Sequence, residues 1–312
     1  MVTSCQSGSL MHIMMLQALH LQIKQRRMKM ATFFNQATLS YSGGTVNSNI
    51  TTGEILEVLS ATKTAVVNEY SGSSDVTYVI NIVNSGAVPF TGISVTDNLG
   101  AYVFDSQTLY PLDYVDGSVT YFINGIAQPA PAVVDGPPLV ISGINIPANG
   151  VATLIYAART NEFAPPDLNG SITNTAVISG GGITEITVNE TVNTADAPDL
   201  SISKSVCPVT VTENGQITYT FVIQNSGNTE AVATDNVVIT DQFTPILSDI
   251  YVTYNGGAWT EGVNYTYDEA TGLFSTIAGN ITVPAATFSQ DPVTGAWITE
   301  PGVATVTVTG TV

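Results

Sequence analysis

Apolar and polar positions alternate with period two along two well-separated stretches of the chain. In "VTYVINIVNSG" the residues Val76, Tyr78, Ile80 and Ile82 share one face; in "ITYTFVIQNSG" Ile217, Tyr219, Phe221 and Ile223 do the same. Both stretches end in Asn-Ser-Gly, residue types that form turns. Similar strand-like runs recur at short intervals between clusters of Gly, Pro, Asn and Asp, and no helical periodicity appears after the first thirty residues. Seven or so short strands over about 100–140 residues predict an immunoglobulin-like sandwich. The fold class expected is all-β, with two such sandwiches in tandem.

The two stretches belong to an internal repeat. Lys63 aligns with Lys204, Tyr78 with Tyr219, and Asn84-Ser85-Gly86 with Asn225-Ser226-Gly227. The lysine-to-tyrosine gap is 15 in both copies and the lysine-to-asparagine gap 21. Asp97 in "VTDNL" matches Asp241 in "ITDQF" after a three-residue insertion. The second copy, "SKSVCPVTVTENGQITYTFVIQNSGNTEAVATDNVVITDQFTP", resembles the surface-protein repeat catalogued as domain of unknown function eleven. That repeat runs Lys-Ser, a proline, a polar turn, Thr-Tyr-Thr, Asn-x-Gly and Thr-Asp before an apolar loop. The first copy is looser and lacks the prolines after its lysine and after its Thr-Asp. The resemblance implies bacterial or archaeal surface and envelope proteins, stacked stalks and self-polymerising appendages among them, and implies no enzymatic turnover.

The repeat is out of phase with the chain. The first copy closes with "NGSITNTAVISGGGITEITVNETVNTADAPD" (169–199), read as a final strand and a linker, whereas the second copy stops at "VATVTVTGTV" (303–312), the counterpart of "VATLIYAARTNE" (151–162). The missing ending appears at the other end. "FFNQATLSYSGGTVNSNITTGEILEVLSATKT" (33–64) parallels "SITNTAVISGGGITEITVNETVNTADAPDLSISKS" (171–205), with Asn35-Gln-Ala on Asn174-Thr-Ala and asparagine-to-lysine gaps of 28 and 30. The expected organisation is a donor strand and linker over 30–54, a complete sandwich over 55–198, and a sandwich lacking its last strand over 199–312. An open sandwich exposes unpaired backbone groups and an apolar groove, which the same strand of another molecule can fill. Donor and acceptor lie on different faces, so the contact propagates into a filament.

Charge and composition sharpen this. The 312 residues carry 7 Lys+Arg against 25 Asp+Glu, a net charge of −18, which excludes nucleic acid as a partner because such binding rests on basic residues. Both histidines, His12 and His20, lie in the first twenty positions, and the chain has two cysteines, so no metal site, cofactor site or histidine triad is expected. The acidic loop Asp113–Asp116 has no calcium-motif spacing. Cys207 is expected to be a small buried residue, and Trp259 and Trp297 to pack in cores or between strands. Residues 1–29 differ from the rest: they hold Lys24, Arg26, Arg27 and Lys29, five of six methionines and no acid. Their basic cluster follows the apolar stretch, opposite to a signal peptide, and the stretch is too short to span a bilayer. Arg26-Arg27 can be encoded by a ribosome-binding sequence, which places the expected start at Met30 and makes 1–29 a leader outside the native protein or disordered.

After Met30 only two lysines remain, at equivalent points of the repeat. A lone lysine in an apolar strand pattern suggests a nucleophile neutralised by burial. Attack on an asparagine amide, with ammonia leaving, forms a Lys–Asn isopeptide bond, helped by a buried carboxyl that shuttles protons. Lys63, Asn174 and Asp97 fit these roles in the first sandwich; Lys204 and Asp241, acting on Asn35 of a neighbouring molecule, fit them in the second. The alternatives are a plain Lys–Asp salt bridge, or Glu69 or Glu213 as the acid. The reading that emerges is a non-enzymatic fibre subunit whose partner is itself, with no membrane insertion and a surface anchor protein still to be identified. A surface adhesin with the sandwiches as spacers is the other class. Surface-type repeats without an export signal after Met30 lead to the expectation of an endospore appendage, assembled in a mother cell that later lyses.

Overall fold

The computed structural model describes residues 30–312; the expectations about the leader lie outside them. The described residues form strands and turns, with one 3-10 turn at Ala233–Asp235 as the helical element among them, and no helix there is long and apolar enough to cross a membrane.

The first sandwich packs two six-stranded sheets face to face. One sheet holds the lysine strand Leu59–Ala65, the tyrosine strand Asp75–Asn84 and the long strand Gly150–Thr160, each antiparallel to the next. The other sheet holds the aspartate strand Phe90–Asp97, flanked by Leu139–Ile146 and by the asparagine strand Ser171–Gly180, which turns back into Ile186–Thr194. The alternation read from sequence is the burial pattern: Val76, Tyr78, Ile80 and Ile82 are all fully buried, as are Ala152, Leu154, Tyr156 and Ala158 opposite them. Burying such side chains contributes about 1.5–3 kcal/mol each for the larger ones.

The second sandwich repeats this plan incompletely. Its five-stranded sheet orders the lysine strand Leu200–Cys207, the tyrosine strand Gln216–Asn225, Gly302–Thr311, Ser248–Tyr254 and Gly257–Ala258. Facing it is a three-stranded sheet of Thr240–Gln242, Leu273–Thr276 and Tyr265–Asp268. In the first sandwich the aspartate strand has neighbours on both sides; in the second, Thr240–Gln242 pairs with Leu273–Thr276 alone among the described strands. Among the described strands the second sandwich has no counterpart of Ser171–Gly180 or of Ile186–Thr194, and in the first sandwich that ending is a hairpin of two strands.

The Asn-Ser-Gly turn has a structural job in both copies. Asn84 Nδ2 donates to the carbonyls of Val88 and Pro147 at 2.8 and 2.9 Å while its Oδ1 accepts from Gly86 N–H at 2.9 Å. Asn225 repeats this with Thr229, Pro284 and Gly227. A buried amide whose donors and acceptor are satisfied fixes the strand end.

One further hairpin, Thr287–Gln290 with Trp297–Glu300, leaves the second sandwich and lies against the first. The Trp297 N–H donates to the Glu162 carbonyl at 2.9 Å, and Gln107 Nε2 to the Val293 carbonyl at 2.9 Å. Its tip has Gly295 at φ +74°, where a Cβ would stand 2.4 Å from Leu109 Cδ1. Trp297 thus packs at the junction of the sandwiches, while Trp259 stacks on Tyr254 within the second, with ring centroids 5.1 Å apart.

Candidate functional site

Lys63 sits mid-strand between Ala61 and Ala65 on the inward face, and its side chain is entirely withdrawn from solvent, as is that of Asp97. Lys63 Nζ donates to Asp97 Oδ2 at 2.6 Å and lies 4.6 Å from the Tyr78 ring centroid. The Tyr156 hydroxyl donates to the same Oδ2 at 2.5 Å, and Asp97 Oδ1 accepts from Leu99 N–H at 2.9 Å. The next amide along, Gly100 N–H, donates to Asn174 Oδ1 at 3.2 Å. Successive backbone amides therefore hold the acid and the asparagine side by side. Asn174 is fully buried and its Nδ2 has no hydrogen-bond partner. An orphaned buried amide costs about 1–3 kcal/mol. Of the acids weighed from sequence, Asp97 is the one in contact with the lysine; Glu69 and Glu213 are exposed.

Burial lowers the Lys63 ammonium from 10.5 to about 8, against the opposing pull of Asp97 and of half-buried Glu190, which stands across from Asn174. Burial and the Asp97 charge push the Tyr156 hydroxyl well above its usual range. The lysine is thus within reach of its neutral, nucleophilic form. In an Asn174→Ala chain, whose Lys63 stays unlinked, the unfolded state holds this proton up to 10.5 and the folded state releases it near 8. The unfolded state then binds more protons between those values, so stability rises with pH across that window. Denaturant melts at pH 7 and pH 10 check this: equal midpoints would mean that Lys63 keeps an ordinary proton. The groups facing Lys63 are Asp97, Glu190, Tyr78 and Tyr156.

In the second sandwich Lys204 pairs with Asp241 Oδ2, and its ammonium lies 4.3 Å from the Tyr219 centroid and 5.3 Å from that of Phe243. The same pair is open: the side chains are 38% and 19% exposed, against zero for Lys63 and Asp97. All of Leu200–Cys207 except Val206 is exposed, whereas Leu59, Ala61 and Ala65 in the first copy pack against the core beside Ile186 and Val188. What closes the first site is the hairpin Ser171–Thr194. Cys207, expected buried, is exposed, because it ends this uncovered edge strand.

Asn35, the third predicted partner, lies in a separate hairpin formed by Met30–Asn35 with Thr51–Leu56 and Thr38–Tyr41 with Gly44–Asn47. It pairs with Thr51 and is exposed, with no hydrogen bond to Lys204 or Asp241. The structure thus brings Lys63, Asp97 and Asn174 together, brings Lys204 and Asp241 together, and leaves Asn35 apart. Sequence reasoning missed Tyr156, because its counterpart in the repeat, opposite Tyr219, is Val308. It also missed Glu190, whose counterpart opposite Asn35 is Thr51. A lone hydroxyl on the otherwise apolar face Ala152–Ala158 was the available signal for the first. Among the described residues no cluster could hold a metal ion.

No family model matches the chain, and no curated protein does, so the resemblance to the surface-protein repeat stands on its quoted residues. Among solved structures, the chain is similar to a protein called BspA_C_WT, with 12% identity, a TM-score of 0.34 and coverage of 80% of this chain and 91% of that one. The pilus backbone RrgB from Streptococcus pneumoniae gives 10%, 0.33, 78% and 55%, and the major pilin subunit BcpA of Bacillus cereus 12%, 0.32, 87% and 73%. Likeness at this level says nothing about activity or partners.

Proposed function

We propose that this chain is a structural subunit of an extracellular filament, joined head to tail by donor-strand complementation and locked by Lys–Asn isopeptide bonds. The observation that supports this best is the pair of equivalent lysine centres: one sealed by a hairpin that presents an orphaned asparagine, the other open and lacking such a hairpin, with a spare copy at the far end of the chain. In the sealed centre the step balances within the chain. Lys63 passes a proton to Asp97, and its neutral Nζ attacks Asn174 Cγ. A C–N bond forms, and Asp97 delivers the proton with which Nδ2 leaves as ammonia when its bond to Cγ breaks. Asp97 then takes the second proton that Nζ sheds on becoming the amide nitrogen, so one ammonia is lost and Asp97 ends protonated. The Gly100 N–H faces the oxygen on which negative charge develops, the placement that stabilises such intermediates. Lys204, Asp241 and the neighbour's Asn35 repeat the step between subunits.

Self-association on one surface and export to another follow the same reading. The fibre's proposed place is the spore surface or another cell-surface appendage, with the net negative charge keeping neighbouring fibres apart. Electron microscopy of the purified full chain tests the proposal. Regular filaments are the expected result; a protein that stays monomeric at high concentration overturns it and leaves the adhesin reading. Gold labelling of sporulating and growing cells then separates the two locations.

A further inference from the structure

The 30–56 segment is more than a strand, and its surface has a specific fit. Phe33, Asn35, Ala37, Leu39 and Tyr41 share one face with period two, aligned with Ile172, Asn174, Ala176, Ile178 and Gly180 of the first sandwich. In the first sandwich Ile172, Ala176 and Ile178 are 0–2% exposed, whereas Phe33, Leu39 and Tyr41 are 51%, 64% and 60% exposed. The hairpin is already shaped for its role. The Phe33 ring lies across Gly53, where a Cβ would come within 2.3 Å of it, so a large residue over none replaces the Ile172–Val192 pair. Between Asn35 and Thr38 the pairing slips by one residue, and the Ala37 N–H is held by Ser48 Oγ at 2.9 Å, so the two arms stay one hairpin across a bulge.

The acceptor is correspondingly two strands wide. In the first sandwich, Ser171–Gly180 pairs with the aspartate strand, and Ile186–Thr194 lies beyond it, next to the lysine strand. Among the described residues nothing fills either seat of the second sandwich: Thr240–Gln242 pairs on one edge alone, and the lysine strand Leu200–Cys207 is uncovered, with Ile202 57% exposed.

We infer that the whole hairpin 30–56 of one copy docks into the second sandwich of another, in the register Ala37 to Asp241, Thr38 to Thr240 and Leu39 to Ile239. This rests on the filament reading and deepens it. The register is that of Ala176 with Asp97, Val177 with Thr96 and Ile178 with Val95. It places the Gln242 N–H to donate to the Gln36 carbonyl, as Asn98 N–H does to Thr175, and it sets Asn35 at the position that Asn174 holds over Lys63. The occupant is a second copy because, among the described residues, the chain has one other asparagine-bearing hairpin of this pattern. The two residues Glu57 and Val58 that join it to the lysine strand Leu59–Ala65, at about 3.5 Å each, are too few to carry it across the first sandwich to the groove from within.

Two sets of variants test this in the full chain. With Cys5 and Cys207 changed to Ser, the pair Thr38→Cys with Thr240→Cys should give an oxidised ladder of disulfide-linked multimers, while Thr38→Cys with Gln242→Cys, a diagonal pair, should give at least about tenfold less. Filaments without the in-register ladder would overturn the register and leave the filament reading intact; no filaments from the unaltered chain would overturn both. Val46 stands on the second arm opposite Leu39, matching Ile186 opposite Ile178. Val46→Asp should slow polymerisation at least about tenfold by burying a charge, and Thr45→Asp, on the other face of the same arm, should not. Normal polymerisation of Val46→Asp would show that a single strand docks and overturn the hairpin proposal.

Discussion

Asp97→Ala is expected to show the full mass calculated from its own sequence and to be markedly less stable, whereas the unaltered chain is expected to fall one ammonia short of its calculated mass. Removing the partner of a fully buried ammonium costs about 3–5 kcal/mol, and the covalent bond proposed between the lysine and asparagine strands would be lost with it. For a unit of this size the loss lowers the melting temperature by roughly 10 °C or more. The sign of the pH effect is fixed by the lysine: without Asp97 its folded pKa falls further below 10.5, so the deficit is largest at neutral pH and shrinks as the solution approaches the unfolded value. Asp97→Asn keeps the volume and should also stay unlinked, since an amide cannot shuttle the proton. Intact mass and thermal melts at pH 7 and pH 10 read both effects. Full ammonia loss in either variant would remove Asp97 from the reaction.

Deleting residues 31–46 is expected to abolish filaments while leaving both sandwiches folded. Every described side chain in this segment is exposed, and none belongs to either buried cluster, so the deletion removes no core contact. Unchanged circular dichroism, together with a monomer in sedimentation and bare grids in the microscope, is the expected set. Filaments of normal length from the shortened chain would show that another surface drives assembly.

How far the sequence reached follows from what a period-two pattern and a repeat can carry. Tyr78, Tyr219, Lys63 and Lys204 were legible because each recurs at fixed spacing on a strand, and Asp97 and Asp241 because the Thr-Asp pair recurs after a three-residue insertion. The second arm of the N-terminal hairpin was not: "TEITVNETVNT" and "TVNSNITTGEIL" are polar on most positions, since one side of such an arm faces solvent, and the boundary drawn at 54 cuts the strand Thr51–Leu56. Tyr156 and Glu190 escaped because their repeat counterparts are Val308 and Thr51, and comparison within the chain finds only what both copies keep. The hairpin at Thr287–Glu300 has no counterpart in the first copy at all, so neither spacing nor pattern tied it to Glu162 or Leu109. Cys207 was misjudged because it ends an edge strand that no described strand covers.

The position of each lysine near the start of its sandwich, and of each asparagine on the hairpin that precedes it, decides where tension would run in a locked fibre. Pulled from its ends, each subunit would bear force along the 28 residues from Asn35 to Lys63, cross to Asn174, follow the 30 residues to Lys204 and pass to the next Asn35. The chain between Lys63 and Asn174, and everything after Lys204, hangs off that line. Under load such a fibre could lengthen only by straightening the two folded-back segments 35–63 and 174–204, while the residues between Lys63 and Asn174 and those after Lys204 would add nothing to its length.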